Sequence, residues 1–169
     1  MIAFVLMGVS GAGKSTVGIH SAARLAWPFV EGDDFHPAEN IEKMSRGVAL
    51  SDADRAPWID ALSAAINNKL APCVIVACSA LTRLVRHRLE DAVQRPIRFI
   101  HLRASPHVLA SRLHGRRHFM TADLLTSQLA ALEAPSGAFE INSDDGIDVV
   151  TARVIARMRP LASNPRPHC

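Results

Sequence analysis

The sequence holds no tyrosine, two tryptophans and six phenylalanines, so aromatics make up 5% of it. That scarcity weighs against binding to single-stranded nucleic acid, in which bases stack on aromatic side chains set among basic ones. Cysteine is scarce too. Cys73, Cys78 and Cys169 form neither a metal-ligand spacing nor an even disulfide set, as expected in a reducing compartment. Cys73 and Cys78 lie five apart in one apolar run, which on a strand turns them to opposite faces. No apolar stretch approaches the roughly 20 residues that span a bilayer. The first seven residues, Met1 to Met7, lack a basic start and a small-residue cleavage site and lead straight into a glycine-rich loop. They read as a buried first strand, not a targeting signal. The expectation is a cytoplasmic protein with neither a membrane nor a nucleic-acid partner.

Internal repeats are missing as well, and nothing marks a second domain. With 169 residues, 49% of them apolar, the chain is expected to build one core and one domain over residues 1–169. The formal charge of +3 is mild but uneven: between Arg83 and His118 there are nine arginines and two acids, Glu90 and Asp91. The arginines are spread over several predicted elements, a distribution that favours phosphate handling over a nucleic-acid surface.

Apolar strand-like runs alternate with helix-period segments, the pattern of a parallel sheet covered on both faces. Strands are predicted over Ala3 to Met7, Phe29-Val30, Cys73 to Cys78, Ile97 to Leu102 and, weakly, Phe139 to Asn142. A helix follows the glycine-rich loop from about Lys14 to Leu25. A short one between Pro37 and Leu50 carries Ile41 and Met44 and stops at Gly47. The next begins near Asp54, a plausible cap, with Pro57 in its first turn and Ile59, Leu62, Ile66 and Leu70 on one face. Further helices are predicted around Leu81 to Ala92, from Pro106 to Gly115, from Ala122 to Leu132, and through Ile147, Val150, Val154 and Met158. Residues 160–169, with three prolines, read as a frayed tail.

The run Gly8-Val9-Ser10-Gly11-Ala12-Gly13-Lys14-Ser15 matches the full phosphate-loop pattern, with a buried strand before it and a helix after it. Its backbone N–H groups and the helix N-terminus would face the β-phosphate of ATP. Lys14 would reach the β and γ oxygens, Thr16 would follow in the first turn, and the Ser15 hydroxyl would ligate Mg2+. A plain strand-to-helix turn needs a glycine or two; nothing about turning calls for a lysine and a hydroxyl in register. The carboxylate usually found at the end of the third strand is missing, because Val74-Ile75-Val76-Ala77-Cys78-Ser79 offers none. The second strand supplies one instead. Asp33 and Asp34 follow it, on the sheet edge where the phosphate loop also lies, and Asp33 is the better placed to accept a hydroxyl proton. Arg112 and Arg116, four apart on one helix face ahead of an expected lid at about 114–122, are candidates to contact the nucleotide and to close over its γ-phosphate.

Beyond the loop, the chain resembles the small bacterial gluconate kinases (gluconokinases) over roughly residues 1–159. The resemblance rests on Gly32-Asp33-Asp34-Phe35-His36-Pro37, Asn40-Ile41-Glu42-Lys43-Met44, Asp52-Ala53-Asp54-Arg55-Ala56-Pro57-Trp58, Cys78-Ser79-Ala80-Leu81, His118-Phe119-Met120, Ser127-Gln128 and Leu132-Glu133. It implies ATP-dependent phosphorylation of D-gluconate to 6-phosphogluconate and a three-layer, nucleoside-monophosphate-kinase-like α/β fold with a five-stranded parallel sheet. It also implies a homodimer. Asp33 corresponds to the carboxylate facing the sugar-acid hydroxyl, and His36, Arg55 and Arg86 fall in segments expected to bind substrate. Three departures stand out: Val85 where an aromatic is usual, Ala49 where proline is common, and a lid one residue short at Arg116-Arg117-His118. Two other readings stay open at this level: a kinase for another small hydroxy acid such as shikimate, and a nucleotide-binding regulatory module without turnover.

Overall fold

The computed structural model describes residues 1–114 and 122–163, the side chains of 114 and 122–124 excepted. Its centre is β1 (Ile2–Met7), six consecutive buried residues as befits a strand covered on both faces. Two strands flank it in parallel, β3 (Cys73–Ala77) and β4 (Ile97–Arg103), with Phe4 opposite both Ile75 and Arg98. The outer positions go to β2 (Phe29–Glu31) and β5 (Phe139–Asn142), giving a five-stranded parallel sheet in the order β2-β3-β1-β4-β5. The expected fold is what forms.

Alternation along the strands divides the core in two. Ala3, Val5, Met7, Val74, Val76 and Cys78 face α3 (Asp52–Asn67) and α4 (Arg83–Ala92), against Trp58, Ile59, Leu62, Val85 and Leu89. Phe4, Leu6, Cys73 and Ile75 face α1 (Lys14–Leu25) and α7 (Ile147–Ser163), against Val17, Ala22, Val150, Val154 and Met158. Cys73 and Cys78 therefore do lie on opposite faces, as period-2 geometry requires. Burial pushes both thiols up, Cys78 to about 12. The remaining helices are α2 (Ala38–Ser45), α5 (Pro106–His114) and α6 (Ala122–Ala131).

Several local expectations need correction. Ser51, not Asp54, caps α3. Its hydroxyl accepts from the Asp54 N–H while the Asp54 carboxylate accepts from the Ser51 N–H, a reciprocal capping box. The cap thus lies three residues earlier than expected, and Pro57 falls inside the helix instead of in the first turn. Ile59, Leu62 and Ile66 are buried, but α3 ends at Asn67 and Leu70 is 93% exposed beyond it. Ile41 likewise points outward from α2 while Met44 is buried. The tail expected from residue 160 is not frayed at its start: α7 runs through Pro160 to Ser163, with Leu161 and Ala162 against the core. The lid at 114–122, apart from the backbone ends of α5 and α6, and residues 164–169 lie outside the described residues. Among the described residues no helix is long and apolar enough to cross a membrane.

Candidate active site

Backbone geometry builds the phosphate side. Gly8 leaves β1 at φ 138, and a Cβ there would lie 2.5 Å from the Leu102 carbonyl oxygen, so only glycine fits. Its N–H donates to Ser79 O at 3.2 Å, tying the loop to the end of β3. At the far end of the loop, α1 begins with no side-chain cap and no acid in its first turn. A helix start of that kind leaves N–H groups and the positive end of the dipole to an anion. Lys14 Nζ reaches back along the loop and donates to Val9 O at 3.1 Å.

The acceptor side is assembled from side chains. One cavity is lined by Ser10 and Lys14 from the phosphate loop, Asp33 and His36 from the turn after β2, Arg55 from α3 and Gln128 from α6. Asp33 belongs to it and Asp34 does not. The single 3-10 turn Gly32–Phe35 places them so. Gly32 is needed for close approach: a Cβ would meet Ala77 O at 2.4 Å. Trp58 reaches under this turn, its Nε1–H donating to Gly32 O at 2.7 Å, and stacks on the His36 ring at 4.3 Å between centroids. Asn40 Nδ2 lies 3.4 Å from His36 Nδ1 and donates to Asp54 O at 2.8 Å. An amide nitrogen can only donate, so Nδ1 accepts and the ring proton belongs on Nε2. Burial depresses the His36 pKa, with Asp33 pulling it up and Arg55 pushing it down. The balance favours the neutral ring.

Two ion pairs fix the surrounding frame. Lys43 Nζ binds Asp54 Oδ1 at 2.6 Å, clasping α2 to the start of α3, and hydrogen bonds from Lys43 and Ser51 hold the Asp54 carboxyl down at about 2. Arg55 Nη1 pairs with Asp52 Oδ1 at 2.9 Å, one helical turn back, while the side chain still lines the cavity. A guanidinium braced in this way can offer its other edge to a carboxylate.

Other sequence-based candidates fall elsewhere. Arg86 does not line the cavity. It is buried, and its Nη1 donates to Ala80 O at 2.9 Å and Leu81 O at 3.1 Å, so it secures the turn between β3 and α4. Ala80 in that turn has φ 44, a left-handed conformation held by those bonds. Arg112 bridges Gly11 O at 3.1 Å and Ser143 O at 2.7 Å. It lines a second cavity with Gly13, Thr16, Val17, Ile147 and Val150, on the other side of the loop from Asp33. Arg116 lies outside the described residues.

Sequence reasoning missed Glu31. It ends β2 in register with Ala77, so the carboxylate absent from β3 is displaced one strand sideways. Its pKa is raised by burial; a hydrogen bond from Ser15 opposes that, the Asp33 charge adds to it, and the Asp33 backbone N–H opposes it. Ser15, Glu31 and Asp33 make a hard oxygen set. Mg2+ takes one or two carboxylates beside substrate phosphates, so these residues fit it. Gln128 was visible only as part of a Ser-Gln pair; its contact with Ser10, 118 residues away, carries no local signal.

The shikimate kinase family model matches residues 10–134. The gluconokinase of Gluconobacter oxydans is 45% identical over 159 residues, covering 89% of this chain and 88% of its own. A solved gluconokinase from Sinorhizobium meliloti has a TM-score of 0.84 and 38% identity, covering 96% of this chain and 94% of that one. Shikimate kinase from Aquifex aeolicus, at a TM-score of 0.59 and 15% identity over 96% of this chain and 99% of its own, shares the fold alone. The likeness to the gluconokinases spans nearly the whole length of both chains. The chain belongs to the gluconokinase family of ATP-using P-loop kinases.

Proposed function

We propose that the protein transfers the γ-phosphoryl group of ATP to the primary hydroxyl of D-gluconate, giving 6-phospho-D-gluconate and ADP, within a single kinase domain over 1–169. The observation that carries this reading is the shared cavity: Lys14, which serves phosphate, and Asp33, which serves a hydroxyl, open onto one space with Arg55 and neutral His36. Gluconate oxygen O6 attacks phosphorus in line, the bond from phosphorus to the ADP oxygen breaks, and Asp33 orients the hydroxyl and takes its proton. Lys14 neutralises charge on the phosphoryl oxygens. Arg55 holds the acceptor carboxylate, and neutral His36 hydrogen-bonds a chain hydroxyl through Nε2–H.

Ser15 and Glu31 would hold Mg2+, whose contribution when bound is to neutralise β and γ oxygens. The loop from Gly8 to Thr16 takes the phosphates. The second cavity takes the nucleoside, with the planar Arg112 guanidinium and apolar Val17, Ile147 and Val150 suited to a flat base. Arg116 closes from the lid and Arg86 acts indirectly, by holding the β3–α4 turn. A role in carbohydrate metabolism and a homodimer complete the reading on the strength of the family resemblance, and a cytoplasmic location on the strength of the cysteine usage and the first seven residues.

An acceptor screen tests it: ADP release measured with gluconate, with shikimate and with no acceptor. Gluconate-dependent release is expected, with the product identified as the 6-phosphate by mass and NMR. Release with shikimate alone would move the acceptor assignment, and ATP binding without any acceptor-dependent release would make the chain a nucleotide-binding module.

A further inference from the structure

One polar contact joins the two halves of the site directly. The N–H of Ser10, in the phosphate loop, donates to Gln128 Oε1 on α6 at 2.7 Å. A backbone N–H can only donate, so this bond settles which way the carboxamide is turned: oxygen toward the loop, Nε2 away from it. Gln128 also lines the acceptor cavity, together with Ser127 and Ala131 from the same helix. With its oxygen engaged, the polar group it presents there is the Nε2 amide, a pure donor. No protein acceptor is recorded for that amide among the described residues.

The helix behind Gln128 is anchored. Just past the end of α6, Leu132 packs on the core beneath α3 and α4, and the Glu133 N–H donates to Leu81 O at 3.0 Å. The Glu133 carboxylate accepts from the Arg83 N–H at the start of α4. Leu81 is one of the carbonyls that Arg86 holds, so α6, the β3–α4 turn and the phosphate loop form one braced ring around the cavity. Gln128 is the member of that ring with one end on the phosphate loop and the other on the acceptor space.

We infer that Gln128 is a positioning residue for phosphoryl transfer: it hangs on the Ser10 N–H through Oε1 and donates through Nε2 to an oxygen of the bound polyol acid. In this way it sets the acceptor's distance from the phosphate loop. This rests on the reading of the cavity as the acceptor site. Water is the competing nucleophile at the same phosphorus, so a loosened acceptor changes the partition between transfer and hydrolysis as well as the rate.

The test is steady-state kinetics of the full chain with two variants, Gln128→Met, which keeps length and volume without either hydrogen bond, and Gln128→Ala. Melting temperature is followed alongside. For Gln128→Met the expected result is a 10- to 100-fold fall in kcat/KM for gluconate, about what a lost bond to a polar ligand and a misplaced nucleophile give. The KM for ATP should stay within about threefold, and the ADP released per phosphorylated product should rise above the wild-type ratio. Wild-type kcat/KM for gluconate in Gln128→Met overturns the inference. So does a parallel loss of ATP affinity with an unchanged ADP-to-product ratio, because Gln128 would then only shape the loop. If Gln128→Ala melts early, Gln128→Met carries the decision. A wild-type protein with no gluconate-dependent turnover overturns the acceptor reading itself, and this inference with it; wild-type turnover with unaffected variants overturns this inference alone.

Discussion

The two sides of the cavity are made of different material. The phosphate side is backbone: a six-residue buried strand, a glycine that only glycine can replace, and an uncapped helix start. The acceptor side is a set of side-chain clasps, Lys43 to Asp54, Arg55 to Asp52, Trp58 to Gly32 and Gln128 to Ser10, contributed by elements up to 118 residues apart. Backbone in a central sheet is fixed by the fold as a whole. Clasps at the rim each depend on one or two bonds, so the acceptor side can be changed piece by piece without unfolding the protein, and acceptor choice is free to vary while the phosphate side stays constant.

Substitutions on each side should separate these modes. Lys14→Ala is expected to have the largest effect, a loss of roughly 10²–10³-fold in kcat with the melting temperature unchanged, since it removes transition-state charge stabilisation and little packing. Turnover within a few-fold of wild type would break the assignment. Gly32→Ala acts on the hinge between the sides. Its Cβ meets the carbonyl of Ala77, which belongs to β3 and cannot yield, so a destabilisation of about 1–3 kcal/mol is expected, read by denaturant unfolding. An unchanged midpoint would show that the turn tolerates the shift.

The Lys43–Asp54 clasp should give a smaller, pH-dependent effect. Asp54 titrates near 3.8 when unfolded and at about 2 when folded, so the folded state favours its charged form. The contribution is present above pH 4 and disappears as pH falls toward 2. Asp54→Asn should therefore be less stable than wild type at pH 6, with the difference shrinking between pH 4 and 2; a pH-independent difference would show that neither the Lys43 clasp nor the Ser51 hydrogen bonds draw on the carboxylate charge. The smallest expected effect is at Cys78, whose thiol is buried and pushed up to about 12. Peptide mapping after thiol alkylation of the native protein at pH 8 should find it unmodified, and labelling without denaturant would mean that the β3 end opens.

How much the sequence revealed follows the same division. The phosphate side is contiguous: eight residues in a row declare both their backbone and their chemistry, and the α1 bounds read from periodicity are those observed. On the acceptor side the segments were legible one at a time, but not who holds whom. Arg86 falls in a segment that the family resemblance assigns to substrate, and it is a brace because the carbonyls of Ala80 and Leu81 accept from it. Asp54 reads as a cap when the true cap is its partner Ser51. Glu31 stays hidden because Asp33 and Asp34, two and three residues further on, answer the same need for a carboxylate after the second strand, and only pairing sets Glu31 beside Ala77 across the ladder. Registers and clasps of this kind arise only when the strands are laid side by side.

The most direct measurement is gluconate-dependent ADP release by wild-type protein and Asp33→Asn side by side, with ATP affinity determined for both. Phosphorylation of gluconate through Asp33 predicts release by the wild type, a fall of roughly 10²-fold in kcat for the variant, and equal ATP affinity. Normal turnover by Asp33→Asn, or no gluconate-dependent release by the wild type, would contradict it.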